Sequence, residues 1–491
     1  MNGDLNKKIV SATKWSAITE ILAKLVTPII SIVLAHLLAP EVFGVVTTLT
    51  MIIAFAEIFT DAGFQKYIIQ HEFQNKGDLY LSVNVAFWSN IAMALFIWLI
   101  ISLFSETLAT IVGNPGLGHV LIIACSSIPL IGLSGIQMAL YRRNLDFKTL
   151  FKVRMVGIFV PLIITVPLAY ITRSYWALIL GTIAQNLINV IVLFIFSEWK
   201  PKIIYSFVKL KEMLSFTLWS IIEAIGIWLT SYVDIFIVGT LLSQYYLGLY
   251  KTSSAIVGQL MGLVTAVTTP ILFSSLSRLQ NDEIEFRNIF FKFQKYVSIL
   301  VMPLGVGIFC YSDFITMVLL GEQWMETSGF IGLWGITTAF TIVLCHYCSE
   351  IYRSKGYPKM SAIVQWLHII VLWPAILFAA DYGYEILYVT RSLVRFQLVL
   401  LNVLIMYFVF HFSPIKLFGN ITPAFLSAVV MGAFAVFINM ELFQSILYQG
   451  VTIIPSVLIY FLVLCSFSDE RKIFRTQILS KALRTFSKIK K

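Results

Sequence analysis

The chain contains 491 residues, of which 59% are apolar and 12% are charged, and its formal net charge is +10. Soluble domains carry about 25% charged residues, so these few charges cannot cover a water-exposed surface. The composition predicts an integral membrane protein and excludes soluble enzymes, DNA-binding modules and secreted disulfide scaffolds. Because the basic residues fall in short, regularly spaced loops, no nucleic-acid partner is expected.

Long apolar runs, separated by charged or Gly- and Pro-containing breaks, predict an all-α membrane fold. A membrane-crossing helix needs about 20 mostly apolar residues, and lipid requires every backbone N–H and C=O to be paired internally. The first run is the least apolar, because it includes Lys14, Glu20 and Lys24. About fourteen transmembrane helices are predicted, at 14–38, 42–65, 81–105, 117–140, 151–172, 174–196, 214–239, 245–273, 296–320, 328–352, 361–380, 386–411, 417–440 and 445–466.

The Lys and Arg residues predict the orientation of these spans. Cytoplasmic loops are rich in Lys and Arg, and with a cytoplasmic N-terminus the predicted inner segments hold 30 of the 35 basic residues. Among the predicted outer loops only Arg173 is basic. An odd number of spans would destroy this alternation, so both termini are expected in the cytoplasm.

One inner loop has an amphipathic pattern. Ile203, Phe207, Leu210 and Leu214 recur at helical spacing beside four lysines. Such a segment is expected to lie on the anionic inner leaflet, so membrane lipids are expected partners.

A weak internal repeat has an offset of 204 residues. It matches Trp15-Ser16 with Trp219-Ser220, Leu37-Leu38 with Leu241-Leu242, and Gly44 with Gly248. Six spans separate the copies, so the pattern predicts two six-helix lobes related by a parallel pseudo-two-fold axis, as in many transporters. The predicted domains are an N-terminal lobe (1–213), a C-terminal lobe (214–411), two additional helices (412–467) and a basic cytoplasmic tail (468–491).

Four basic residues, Lys24, Lys251, Arg391 and Arg395, fall inside predicted spans. A charge near mid-bilayer costs about 2.5–3.5 kcal/mol on insertion scales, so these side chains should face a wet cavity, a counter-ion or an anionic ligand. Pairing is the alternative, Glu20 with Lys24 and Asp234 with Lys251, and Arg391 could extend to the outer surface.

Acidic residues also fall inside the spans. Glu57, Glu223 and Asp234 are candidates for ion or proton coupling. Asp61 is expected near the inner surface, where a structural cap is the favoured role. No metal site is expected, since Cys345-His346-Tyr347-Cys348 has no second CxxC partner and small polarizable residues suit a buried helix.

Catalytic motifs are absent from the sequence. It contains no GxxxxGK[ST] loop, which argues against ATP-driven transport by this chain alone, and neither HExxH nor GxSxG occurs. No cofactor is therefore expected, and the chain is predicted to be a transporter rather than an enzyme.

Several short stretches occur in a characteristic order along the chain. They are Trp15-Ser16, Leu37 to Gly44, Asp61 to Phe64, Ile68 to Gln70, Tyr141 to Lys148, Tyr232 to Gly239, Leu247 to Tyr250, Pro270, Ser274 to Gln280 and Gly321 to Trp324. This ordered set resembles the polysaccharide-exporting (Wzx-like) branch of the multidrug/oligosaccharidyl-lipid/polysaccharide (MOP) flippase superfamily. One departure is His36, where related chains tend to carry Arg.

The resemblance implies a multi-pass protein of the bacterial inner membrane. Its substrate would be an undecaprenyl-diphosphate-linked oligosaccharide, flipped from the cytoplasmic to the periplasmic leaflet for O-antigen, capsule or exopolysaccharide synthesis. Polysaccharide polymerase machinery is a further expected partner. Lys24, Lys251, Arg391 and Arg395 would then line the substrate cavity, and Arg142 and Arg143 would attract the diphosphate at the inner entrance.

Two alternatives remain at this point. A MATE-like drug or cation antiporter of the same superfamily would favour acidic over basic cavity residues. A multi-span glycosyltransferase or polysaccharide polymerase would need a sizeable catalytic segment outside the membrane, and the predicted loops are short.

Overall fold

The computed structural model describes residues 2–61, 64–441 and 446–467, and every regular element in these ranges is a helix. Thirteen helices of this described part are long and apolar enough to cross a membrane, and Gln449–Leu464 forms a shorter apolar helix. The predicted all-α integral membrane protein is therefore confirmed. The chain divides into two compact units between Thr252 and Ser253.

The first unit contains eleven complete helices in its described residues. These are α1 (Asn2–Leu37), α2 (Pro40–Asp61), α3 (Phe64–Gln70), α4 (Lys76–Leu103), α5 (Ser105–Ile111), α6 (Gly118–Cys125), α7 (Ser127–Arg143), α8 (Phe147–Val160), α9 (Val166–Thr172), α10 (Tyr175–Phe196) and α11 (Phe207–Leu241).

Helix α12 (Gln244–Arg278) begins in the first unit and continues into the second. The helices that follow it are α13 (Glu283–Cys310), α14 (Ser312–Leu319), α15 (Ser328–Thr341), α16 (Tyr347–Ser354), α17 (Pro358–Ala380), α18 (Tyr384–Phe408), α19 (Pro414–Gly419), α20 (Thr422–Glu441) and α21 (Ile446–Leu464). A 3-10 turn, Glu322–Thr327, precedes α15.

Several spans begin at a polar residue that caps the helix. Asn75 accepts a hydrogen bond from the Asp78 amide at 2.9 Å, and Asp146 accepts one from the Thr149 amide at 3.1 Å. These side chains satisfy amides that have no partner within the helix. The start of α4 and of α8 is thus fixed by local sequence.

Three spans depart from the uniform helices expected from hydropathy. The predicted span 117–140 is interrupted at Ser126, which separates α6 from α7. Two others contain a π turn, Pro161–Thr165 between α8 and α9 and Ile342–His346 between α15 and α16. Such turns are frequent at functional sites, and the second one borders the cavity described below.

Within the first unit, α2 and α12 cross at two glycines that the repeat relates to each other. A Cβ atom on Gly44 would lie 1.8 Å from the Gln244 carbonyl oxygen, and one on Gly248 would lie 1.9 Å from the Pro40 carbonyl oxygen. The offset of 204 residues relates Gly44 to Gly248 and also Pro40 to Gln244, so the two contacts are reciprocal. Only glycine permits backbones to approach this closely.

The connection between α5 and α6 packs against the same crossing. The Asn114 side-chain amide donates to the Thr48 hydroxyl at 2.5 Å, and the Gln244 side-chain amide donates to the Gly113 carbonyl at 2.9 Å. These residues form a tightly packed cluster at the ends of their spans that are predicted to face outward.

We predict that Gly248→Ala destabilises the protein, because the added methyl group meets a backbone carbonyl that cannot rotate away. Overpacking of this kind costs about 1–3 kcal/mol, measurable as a lower thermal unfolding temperature of the purified protein. Gly258→Ala on the same helix is the matched control, since a Cβ there meets nothing within 4 Å. Equal unfolding temperatures for the two variants would contradict the reciprocal contact.

Candidate functional site

The two arginines predicted at the inner entrance have different environments. Arg143 donates through Nη1 to the carbonyls of Ile68 and His71, both at 2.7 Å, and lies over the Phe73 ring at 4.7 Å. The last carbonyls of a helix have no partner within that helix, so Arg143 caps α3. Arg142 is exposed.

The other candidate residues of the first unit lie on four helices, α1, α2, α11 and α12. Lys24 on α1 is partly buried and makes no ion pair with any described residue, so the alternative pairing with Glu20 is not observed. Glu57 on α2 is also partly buried. The side chain of Glu223 lies outside the described residues, as does that of Asp61.

Asp234 is the most buried of the acidic candidates in the described part of the first unit, with 8% of the residue exposed. Its Oδ2 accepts a hydrogen bond from the Tyr250 hydroxyl at 2.7 Å. Its Oδ1 accepts one from the Ile235 amide at 2.9 Å. Lys251 follows Tyr250 directly and is partly buried. The carboxylate therefore joins α11 to α12 close to one of the candidate cations.

The second unit contains a polar cavity of about 510 Å³ among its membrane-spanning helices. It is bordered by α12, α15, the π turn Ile342–His346, α16, α17 and α18. Hydroxyl, amide, imidazole and guanidinium groups line it, which is unusual at the depth of hydrocarbon. The polar lining includes Thr265, Thr338, Thr341, His346, Ser349, Arg353, Ser361, Gln365, Arg395 and Asn402.

Arg395 is held by three threonines of α15. Its Nη1 donates to Thr338 at 2.7 Å and to Thr337 at 3.2 Å, and its Nη2 donates to Thr341 at 2.9 Å. Each of these hydroxyls also donates to a backbone carbonyl of α15, so its oxygen lone pairs are available to the guanidinium. These three neutral hydroxyls fix the position of the guanidinium.

The guanidinium of Arg395 also lies over an aromatic ring. The Arg395 guanidinium carbon lies 3.9 Å from the centre of the Trp334 ring, and that of Arg391 lies 5.0 Å from the same ring. A ring face attracts cations electrostatically. Arg391 and Arg395, predicted to share a helix face, are thus brought together at Trp334.

A second cation borders the cavity at the predicted inner end of its span. The side chain of Arg353 is 59% exposed, and its Nη1 lies 3.1 Å from the buried carboxylate of Glu350. The imidazole Nε2 of His346 is 2.9 Å from the Thr269 hydroxyl. The cavity therefore contains one arginine at mid-span and another toward the inner surface.

Sequence reasoning missed most of the cavity lining. It counted Arg353 only as an inner-loop residue, and it did not select Thr338, Thr341 or Asn402. One signal was present, since Thr337, Thr338 and Thr341 place three hydroxyls on neighbouring turns of an otherwise apolar span. Ser and Thr hydroxyls in a helix commonly donate hydrogen bonds to backbone carbonyls of the same helix. Three threonines in a span therefore do not by themselves predict a site.

A separate cavity of about 610 Å³ in the second unit is almost entirely apolar. Side chains of α12, α13, α14, α20 and α21 line it, among them Leu304, Phe314 and Val457. This lining suits a hydrocarbon chain and offers little to a sugar or a phosphate.

Comparisons with known proteins agree with this architecture. The model of a family described as "Polysaccharide biosynthesis protein" matches residues 33–329, which is more than half of the chain. The chain is 21% identical over 381 residues to an "Uncharacterized membrane protein in cps region" of Klebsiella pneumoniae, covering 76% of this chain and 77% of that protein. It is 22% identical over 322 residues to the "Lipopolysaccharide biosynthesis protein WzxC" of Escherichia coli (strain K12), covering 65% of each.

A solved structure has a similar fold. It is described as "Lipid II flippase MurJ, inward closed conformation", and it matches with a TM-score of 0.75 over 93% of this chain and 99% of that one. The sequences are 14% identical, so the similarity concerns the fold.

We predict that Arg143→Gln destabilises the protein and that Arg142→Gln does not. Hydrogen bonds from charged donors contribute about 1.5–3 kcal/mol, and only Arg143 donates to the end of α3. Thermal unfolding of the two purified variants measures the difference. If both variants unfold at the wild-type temperature, Arg143 does not cap α3.

Proposed function

We propose that this chain, which belongs to the polysaccharide biosynthesis protein family, is a transporter that flips a lipid-linked oligosaccharide across the membrane. The resemblance to the polysaccharide-exporting branch of the MOP superfamily is confirmed by that family match and by the fold. We infer the specific substrate to be an undecaprenyl-diphosphate-linked oligosaccharide, moved from the cytoplasmic to the periplasmic leaflet for O-antigen, capsule or exopolysaccharide synthesis.

The environment of Arg395 carries this proposal. A lipid diphosphate has roughly two negative charges, and moving a charge through hydrocarbon is costly. A guanidinium placed at mid-span among hydroxyls and an aromatic face presents the fork geometry that suits phosphate. Gln365 borders the same cavity and is exposed, so it offers an amide group to sugar hydroxyls.

The remaining candidate residues have proposed roles in the same cycle. Lys24 and Lys251 in the first unit, and Arg391 and Arg395 in the second, are each proposed to contact the diphosphate during transport. Arg142 is exposed and attracts the headgroup at the inner entrance, whereas Arg143 contributes mainly through α3. Glu57, Glu223 and Asp234 are the candidates for ion or proton coupling, and polysaccharide polymerase machinery is a proposed downstream partner.

We propose alternating access as the mechanism, with the predicted lobes rocking about the substrate. With the cell interior negative, outward movement of an anion is favoured by about 2.3 kcal/mol per charge per 100 mV. The membrane potential therefore favours export.

The second candidate function is cation-coupled drug antiport. The buried Asp234 favours it, because an intramembrane carboxylate can bind a cation or a proton. The arginines near Trp334 favour an anionic substrate instead. Loss of drug resistance in Asp234→Asn with unchanged polysaccharide export would favour antiport.

We predict that the double variant Lys24→Ala/Arg395→Ala abolishes polysaccharide export while its amount in the membrane is unchanged. Surface polysaccharide and accumulated lipid-linked repeat units in a complemented deletion strain measure export. Lys416→Ala is the control, since this lysine is exposed on a predicted inner loop.

A further variant separates charge from geometry. Arg395→Lys keeps a positive charge but lacks the planar fork that bonds three threonines, so export should fall by less than in Arg395→Ala. If the double variant Lys24→Ala/Arg395→Ala exports polysaccharide at the wild-type level, the assignment of these two residues to substrate binding is wrong.

A further inference from the structure

The connection between α10 and α11, residues 197–206, is fastened to α4. The Lys202 amide donates to the Asn84 side-chain oxygen at 2.7 Å, and the Trp88 indole N–H donates to the Lys202 carbonyl at 2.9 Å. The hydroxyls of Tyr205 and Ser89 are 2.8 Å apart. The sequence pattern predicted a helix through Ile203, but with these contacts the backbone is irregular until α11 begins at Phe207.

This connection and α4 enclose a third cavity, of about 480 Å³, within the first unit. Two lysines, Lys200 and Lys202, line it against one acid, Glu198, which leaves a net positive charge. Trp199 also lines it.

Large apolar side chains are exposed beside this cavity. Ile203 is 95% exposed, Phe207 79% and Val208 69%. Apolar side chains flanked by lysines are typical of segments that insert into the headgroup and acyl boundary. Because α10 ends at Phe196 on the predicted inner side, the cavity lies at the inner membrane surface.

A third lysine of this region is already paired with acidic side chains of the protein. Lys209 forms ion pairs with Asp78 at 2.9 Å and with Glu212 at 3.0 Å. Its hydrogen bond to Asp78 raises the pKa of Lys209 above the ordinary lysine value. Lys200 donates to the Phe194 carbonyl at the end of α10, and an ammonium has three donors, so it retains donors for a ligand.

We propose that this cavity binds the phosphodiester headgroup of an anionic phospholipid of the inner leaflet. Lys200 and Lys202 contact the phosphate, and Ile203, Phe207 and Val208 lie among the acyl chains. The apolar side chains favour a lipid over a free phosphate, since a soluble anion would leave them in water. This inference is independent of the transported substrate.

The test measures lipid binding by the purified full-length protein. Native mass spectrometry counts retained phosphatidylglycerol, and thermal unfolding is followed with added phosphatidylglycerol, phosphatidylcholine or soluble glycerol 3-phosphate. We expect phosphatidylglycerol alone to raise the unfolding temperature. A lysine near an anionic surface contributes about fivefold to binding, so Lys200→Gln/Lys202→Gln should weaken phosphatidylglycerol binding about 30-fold.

The control removes the same charge elsewhere on the predicted inner surface. Lys148→Gln/Lys416→Gln alters two exposed lysines and should bind phosphatidylglycerol as the wild type does. Lys200 caps α10, so the double variant Lys200→Gln/Lys202→Gln could fail to fold. In that case the single variant Lys202→Glu tests the proposal, and its phosphatidylglycerol binding should also fall.

Three results would overturn the proposal. Equal stabilisation by phosphatidylcholine would show that acyl chains alone bind, and equal stabilisation by glycerol 3-phosphate would identify a soluble anion site. If the folded Lys200 and Lys202 variants bind phosphatidylglycerol as the wild type does, the cavity does not bind the lipid headgroup. Polysaccharide export is measured separately, so failure here leaves the transport proposal standing.

Discussion

The cost of keeping a guanidinium at hydrocarbon depth constrains the whole second unit. Arg395 is the twelfth residue of the 25-residue helix α18, about 17 Å from its first residue at 1.5 Å per residue. Three hydroxyls of α15 and the face of Trp334 stabilise it there. This arrangement requires α15 and α18 to be neighbours, and the polar cavity follows from the same requirement.

The sequence was sufficient to predict the helical spans but not the elements that interrupt them. Spans follow from apolar length, which is a local property of the chain. The break at Ser126 and the π turns at Pro161–Thr165 and Ile342–His346 depend on packing. The irregular backbone before Phe207 has the same kind of origin, because Lys202 bonds to Asn84 and Trp88, more than a hundred residues away. Gly44 and Gly248, which the predicted repeat matches, lie in reciprocal backbone contacts, while the symmetry of the two lobes stays a prediction.

The sequence could predict a residue of the candidate site where that residue is charged and its neighbours in the chain are apolar. Arg391 and Arg395 are charges in an apolar span, and they meet at Trp334. Arg142 and Arg143 could not be distinguished, because only packing determines which of them reaches the carbonyls at the end of α3. The hydroxyls and amides around Arg395 are ordinary residues in an apolar sequence, and their convergence depends on contacts between α15, α17 and α18. Polar recognition groups of this kind follow from the tertiary fold.

The most direct test of the proposed anionic site is binding of undecaprenyl diphosphate and of neutral undecaprenol to the purified protein. Charge-assisted hydrogen bonds contribute about 1.5–3 kcal/mol, so the wild type should bind the diphosphate at least about tenfold more tightly than the alcohol. In Arg395→Ala that preference should largely disappear, with little change in the affinity for undecaprenol. Equal affinity of the wild type for the two lipids would contradict the role assigned to the arginine.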